Sequence, residues 1–303
     1  MELNYWIYEN KILFKPKFNQ SIIIPQNVTH LTFGFDFNQQ VIIPENVTHL
    51  IFGHMFNKQI IIPQNVTYLT FDSEFNQPII IPQSVTHLTF GNNFNQSIII
   101  PQNVTHLTFD YYFNQQLIIP QSVIYLIFGH NFNQPIIIPE NVTHLTFGYY
   151  FNQPVIIPKN ITHLIFGNNF NQQVIIPHNV IHLTFGYCFN QKINLSNIKY
   201  IKINCNNINL IENLPNSIEE INFDEYFDLE LYTLPNSIKK ISFDYYSKYN
   251  KELNCLPEFV EYLELNYCYN KKIKKFPLNL KTVKCNKNYE YINDFKDKYN
   301  ILN

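Results

Sequence analysis

FNQSIIIPQNVTHLTFGFD, residues 18–36, is the stretch that decides the fold, because it is written nine times along the chain with little change. Phe18, Phe37, Phe56, Phe75, Phe94, Phe113, Phe132, Phe151, Phe170 and Phe189 stand 19 residues apart without a slip. A fixed period of this length marks a solenoid, in which each repeat buries its apolar side against the next. Within the unit, Val28, Leu31 and Phe33 have an inward spacing that reads, with β-branched neighbours, as a short strand. Pro25 and its copies interrupt every period where a helix would run, and 19 residues cannot hold two helices with their turns.

Outward from this unit, residues 1–17 read as an N-terminal cap. Ile12 and Phe14 fall one period before Leu31 and Phe33, and Trp6, Ile7 and Tyr8 are expected to cover the open end of the core. Residues 18–188 hold the nine regular repeats. Residues 189–285 keep the strand pattern in looser wording, at Ile198, Ile218, Ile238, Val260 and Leu280. Residues 286–303 are expected to close the stack, with a helix around 291–299. The fold expected is a β-rich solenoid, a right-handed superhelix with a parallel sheet and about fourteen coils of 18–22 residues. All seven glycines follow a strand, with Asp72 and Asp110 in the two remaining coils, which predicts a turn of unusual backbone angles. The Asn of each Phe-Asn pair, Asn19 to Asn190, is expected to satisfy backbone groups of the adjacent coil.

Composition removes several classes of function. Residues 18–188 carry two lysines against six acids, so the regular array lacks the basic track that nucleic acid requires. No apolar run approaches the roughly 18 residues of a spanning helix, and residues 1–14 have no basic region before an apolar core, so neither a membrane nor a secretory signal is expected. Five cysteines, never spaced Cys-x-x-Cys, argue for reduced thiols and a cytoplasmic location, the host cytoplasm if the chain is viral. Glycines never cluster into a phosphate loop, and Cys188, beyond a turn from His182, has no base and orienting group beside it in sequence. The reading is non-enzymatic, without cofactor or metal.

Phe-Asn-Gln-Pro at residues 75–78, 132–135 and 151–154, followed by Ile-Pro-x-Asn/Ser-Val-Thr-His-Leu-Thr-Phe-Gly, resembles the FNIP repeat family. So does Leu-Pro-Asn-Ser-Ile at 214–218 and 234–238. The resemblance spans nearly all of residues 18–285 and implies a divergent leucine-rich-repeat fold, with a curved parallel sheet used for binding proteins. Some members place an F-box before the array; the 17 residues ahead of Phe18 are too few for one.

Four surfaces are candidates. The residue before each inward Leu is His30, His49, Tyr68, His87, His106, Tyr125, His144, His163 or His182, a row that invites either metal sharing or a pH response. Two residues on, Thr32, Thr70, Thr89, Thr108, Thr146 and Thr184 make a periodic array with Ile51, Ile127 and Ile165, of a kind suited to a glycan or an ice lattice. Variation between repeats concentrates just before Phe-Asn, where Tyr111, Tyr112, Tyr149, Tyr150 and Tyr187 bring a side chain common at binding hot spots. The middle Ile of each triple, Ile23 to Ile175, is expected to turn inward at a bend before proline, with an exposed stripe as the alternative. The six Asn-Val/Ile-Thr sequons and the cluster Lys271, Lys272, Lys274 and Lys275 are read as by-products of the repeat and as a solvated coil face. The sequence therefore predicts a scaffold for an unidentified protein partner, with Tyr111, Tyr112, Tyr149, Tyr150, Tyr187, His87, His106, His144, His163 and His182 as contact residues. A binder of a periodic polymer is the alternative.

Overall fold

The computed structural model describes residues 5–295 and 298–302. It is a parallel-sheet solenoid of about 15 turns, divided into two compact units, Met1–Pro158 and Lys159–Asn303.

The first unit opens with a hairpin of β1 (Tyr5–Tyr8) and β2 (Lys11–Phe14), antiparallel to each other. Then follow β3 (His30–Thr32), β4 (His49–Ile51), β5 (Tyr68–Thr70), β6 (His87–Phe90), β7 (His106–Phe109), β8 (Tyr125–Ile127) and β9 (His144–Thr146). Each from β3 on lies parallel to its predecessor and in phase with the repeat, so that Leu31 faces Leu50 and Leu50 faces Leu69. The second unit continues the scheme with β10 (His163–Ile165), β11 (His182–Phe185), β12 (Tyr200–Ile203), β13 (Glu220–Phe223), β14 (Lys240–Phe243), β15 (Tyr262–Glu264), β16 (Thr282–Lys284) and β17 (Asn300–Leu302). A five-residue helix, α1 (Ile208–Glu212), is inserted between β12 and β13 and capped by the Asn207 side chain.

Two tight turns close each regular coil. Val28 N–H donates to the Pro25 carbonyl at 3.2 Å, and Phe37 N–H to the Gly34 carbonyl at 3.2 Å, so proline opens one turn and glycine the other. Between them, Ile24, Val28, Leu31, Phe33 and Phe37 point inward and are buried. Phe33 stacks on Phe37 of its own coil at 4.2 Å and on Phe52 of the next at 5.3 Å, and the pattern repeats down the unit. A ladder of identical rings thus supplies the core.

The Asn ladder is as expected. Asn95 N–H donates to Asn76 Oδ1 at 3.0 Å, and Gln96 Nε2 adds a second bond to the same oxygen at 3.1 Å. A second Asn column, which includes the sequons, donates to the preceding coil: Asn65 Nδ2 reaches the Glu45 carbonyl at 2.8 Å. These amides satisfy backbone that has no strand partner.

Four expectations are corrected. No described glycine has a positive φ; a Cβ on Gly53 would instead run into the Gly34 carbonyl oxygen, and one on Gly148 into that of Gly129. Close approach of successive coils, not an unusual turn angle, selects glycine. Trp6, Ile7 and Tyr8 are exposed; β1 covers the sheet edge with its backbone, while Tyr5 packs on Phe14 at 5.4 Å. The C-terminal cover is one 3-10 turn (Ile292–Asp294) followed by strand β17, with buried Phe295 between them, not a helix over 291–299, of which 296 and 297 lie outside the described residues. The middle Ile of each triple is exposed, at 93 % for Ile23 and 87 % for Ile175, while the following Ile24 and Ile176 are buried. Extended backbone before the proline keeps the alternation of a strand and does not bend all three side chains inward.

Candidate functional site

On the outer face of the sheet, the residue before each inward Leu forms a stack of rings. In the first unit, ring centroids lie 4.2 Å apart for His30 and His49, 4.1 Å for His87 and His106, 4.4 Å for His106 and Tyr125, and 4.3 Å for Tyr125 and His144. In the second, His163 and His182 stand 4.1 Å apart and His182 and Tyr200 4.2 Å. Where a threonine precedes a histidine, its hydroxyl holds the ring. Thr105 Oγ1 lies 3.1 Å from the Thr86 carbonyl oxygen and 2.9 Å from His106 Nδ1. The Thr86 carbonyl also accepts the Thr105 and His106 backbone N–H groups, at 2.8 and 3.1 Å, so hydroxyl, backbone and ring form one joint. Thr48 with His49 and Thr86 with His87 repeat the arrangement.

Stacking also decides what this row does chemically. Rings within 13° of parallel aim neighbouring ring nitrogens side by side instead of at a common point, a poor start for sharing one ion. Among the described residues no group of three or more His, Cys, Asp or Glu is placed to hold a metal. Burial, followed by the neighbouring His87, lowers the pKa of His106; burial, then His49 and Lys11, lowers that of His30. Burial lowers His163, and burial with His163 outweighs the opposing pull of Glu220 on His182. These four rings therefore favour the neutral form in the folded chain.

The turn after each strand carries the second candidate surface. Tyr111 stacks on His130 at 4.3 Å and His130 on Tyr149 at 4.8 Å, a three-ring column with Tyr112 and Tyr150 set edge-on beside it at 4.7 and 4.9 Å. All four tyrosines are exposed. His130, which holds the same place in the pair before Phe-Asn as Tyr111 and Tyr149, was not among the candidate residues that the sequence singled out. In the second unit exposed Tyr187 meets Tyr226 edge-on at 5.2 Å, and Tyr245, Tyr246 and Tyr267 extend the set of exposed turn tyrosines. Their position after a strand was legible in the looser repeats. The basic cluster is engaged by acids, with Lys272 3.5 Å from Asp294 and Lys274 3.7 Å from Glu252.

Geometry of this kind, a parallel ladder of short strands with one-residue-per-coil columns, defines a repeat scaffold of the leucine-rich-repeat type. The FNIP repeat model matches residues 18–54, 40–74, 56–93, 94–131, 132–157, 154–188 and 206–246, and the chain belongs to the FNIP repeat family. Among solved structures it is similar to CroV588, described as a novel circular LRR protein, at 30 % identity and TM-score 0.66 over 90 % of this chain. The chain spans 52 % of the length of that protein. A leucine-rich repeat protein from Bacteroides ovatus ATCC 8483 aligns at 14 % identity and TM-score 0.31, covering 99 % of this chain and 90 % of that one. No curated protein matches. No helix among the described residues is long and apolar enough to cross a membrane.

Proposed function

We propose that this chain is a non-enzymatic, cytoplasmic scaffold that binds a protein partner through the outer face of its sheet and the tyrosine-bearing turns. The observation that carries the reading is the exposed column Tyr111, His130 and Tyr149 with Tyr112 and Tyr150 at its side. Stacked rings are held in place before a partner arrives, so little side-chain entropy is lost on contact. Tyrosine offers apolar area with a hydroxyl that stays useful at a wet rim. The test is affinity capture from host-cell lysate by the native chain and by a variant with Tyr111→Ser, Tyr112→Ser, Tyr149→Ser and Tyr150→Ser. A protein retained only by the native chain supports the reading; identical capture by both refutes the turn site.

The row of His and Tyr rings, 4.1 Å apart at His87 and His106 and 5.6–5.8 Å on either side of Tyr68, lies beside in-register Thr70, Thr89 and Thr108 and favours a second reading as a receptor for a periodic polymer such as a glycan. Binding that survives the tyrosine changes but is lost with His87→Ala and Thr89→Ala would select it.

A further inference from the structure

The back of the first unit carries a surface that neither reading uses. In every coil from Ile23 through Ile156 one isoleucine stands 87–93 % exposed at the same place, eight in an unbroken row. Isolated exposed apolar side chains are ordinary, but a contiguous stripe is a sign of an interface. Each such side chain offers roughly 60–120 Å² of apolar surface to a partner. Eight then offer roughly 500–1,000 Å², against about 800 Å² per partner in a standard stable interface.

The flanks of the row say what kind of surface could cover it. Of the charged residues in 18–158, Asp36, Asp72, Glu74 and Asp110 belong to the turns after strands, and only Glu45, Lys58 and Glu140 flank the isoleucines. The rest of the border is uncharged and exposed, as at Gln40, Gln59, Pro78 and Gln116. Such a border neither attracts an oppositely charged partner nor repels an identical one. The ridge presents one side chain per coil along eight consecutive coils. A second copy carries the same row over the same number of coils, so the two faces match side chain for side chain. We infer that the isoleucine face pairs with the same face of a second copy, in a closed two-fold dimer.

The experiment is sedimentation velocity of the full chain across a concentration series, with Ile80→Ser, Ile99→Ser and Ile118→Ser combined in one variant. All three side chains are exposed, so the fold is expected to survive, and far-UV circular dichroism checks it. A control carries Thr89→Ser and Thr108→Ser on the opposite face. The native chain and the control are expected to sediment as dimers, and the triple variant as a monomer with an unchanged spectrum. If the triple variant loses its spectrum, Ile99→Gln alone is read instead, and a weaker dimer is expected. A native chain that is monomeric throughout, forms open-ended polymers, or stays dimeric after the isoleucine changes overturns the inference. So does a monomer that floats with uncharged phospholipid vesicles, which would assign the face to a lipid surface.

Discussion

The first unit is held together by like against like, and the later coils of the second by opposites. From β3 to β9 the columns repeat one residue type or a neutral stand-in: Phe on Phe, Asn on Asn, Thr on Thr or Ile, His on His or Tyr. Beyond β11 the column just before the strands reads Lys199, Glu219, Lys239, Glu261, Lys281, with Lys199 and Glu219 3.3 Å apart, Glu219 and Lys239 3.0 Å, and Glu261 and Lys281 2.6 Å. Lys240 with Glu220 at 3.0 Å and Lys284 with Glu264 at 2.7 Å add parallel rungs. An in-phase repeat places every residue beside its own copy. Two like unit charges about 4 Å apart cost about 1 kcal/mol even in bulk water, and a charged repeat would incur this at each coil. Amides and hydroxyls escape because each both donates and accepts, and rings escape by stacking. Near-identical repetition thus excludes charge, and charge enters where the repeats have diverged enough to alternate in sign.

The comparison breaks most visibly in the shared core. Phe90, fully buried between Phe71 and Phe109 and stacked on Phe94 at 3.8 Å, is expected to cost about 3–5 kcal/mol when changed to Ala, measured by urea denaturation. Next comes the amide ladder, which only like-on-like columns can build. Asn95→Ala removes the acceptor of Asn114 N–H at 2.9 Å and of Gln115 Nε2 at 3.1 Å, and should cost about 1–3 kcal/mol, with faster hydrogen exchange at the Asn114 amide.

A smaller effect is expected on the charged ladder. Glu219→Lys places three lysines in succession and should lower the melting temperature in dilute buffer, with the loss shrinking in concentrated salt; an equal loss at both ionic strengths would show that packing, not charge, holds this column. The smallest effects are those of pH, and they separate the two kinds of column. His30, His106, His163 and His182 have folded pKa values below the ordinary 6.5, so the unfolded chain binds protons first, and stability should fall as pH drops from 6.5 toward those lowered values. Glu219 and Glu261 have pKa values lowered from 4.5 by their lysine partners, so their contribution is complete above 4.5 and is lost as pH falls through the lowered values. Thermal melts across this range should show two steps, and His106→Gln should diminish the upper one alone.

Much of this was legible without coordinates. A constant distance between Phe residues requires in-phase coils, and in-phase coils require that Asn19 and Asn38, or Leu31 and Leu50, be neighbours. The strands at Val28-x-x-Leu31-x-Phe33 and its copies follow from that, as does the amide ladder. Of the candidate surfaces, the sequence located the rows of His, Thr and Tyr. It did not reveal that His130 completes the Tyr111 and Tyr149 column, since a variable pair shows that change is tolerated without showing which rings meet.

What the sequence alone determined is which residues share a column, because the period sets every residue beside its counterpart one coil away. What only the tertiary structure decided is the direction each column faces where no strand imposes it, and how closely the coils approach. Thus the middle Ile points to solvent, Gly53 is required by the Gly34 carbonyl and not by its own φ, and the chain closes on strand β17. Periodicity specifies translation from coil to coil; orientation within a coil is set by packing against residues that the period does not name.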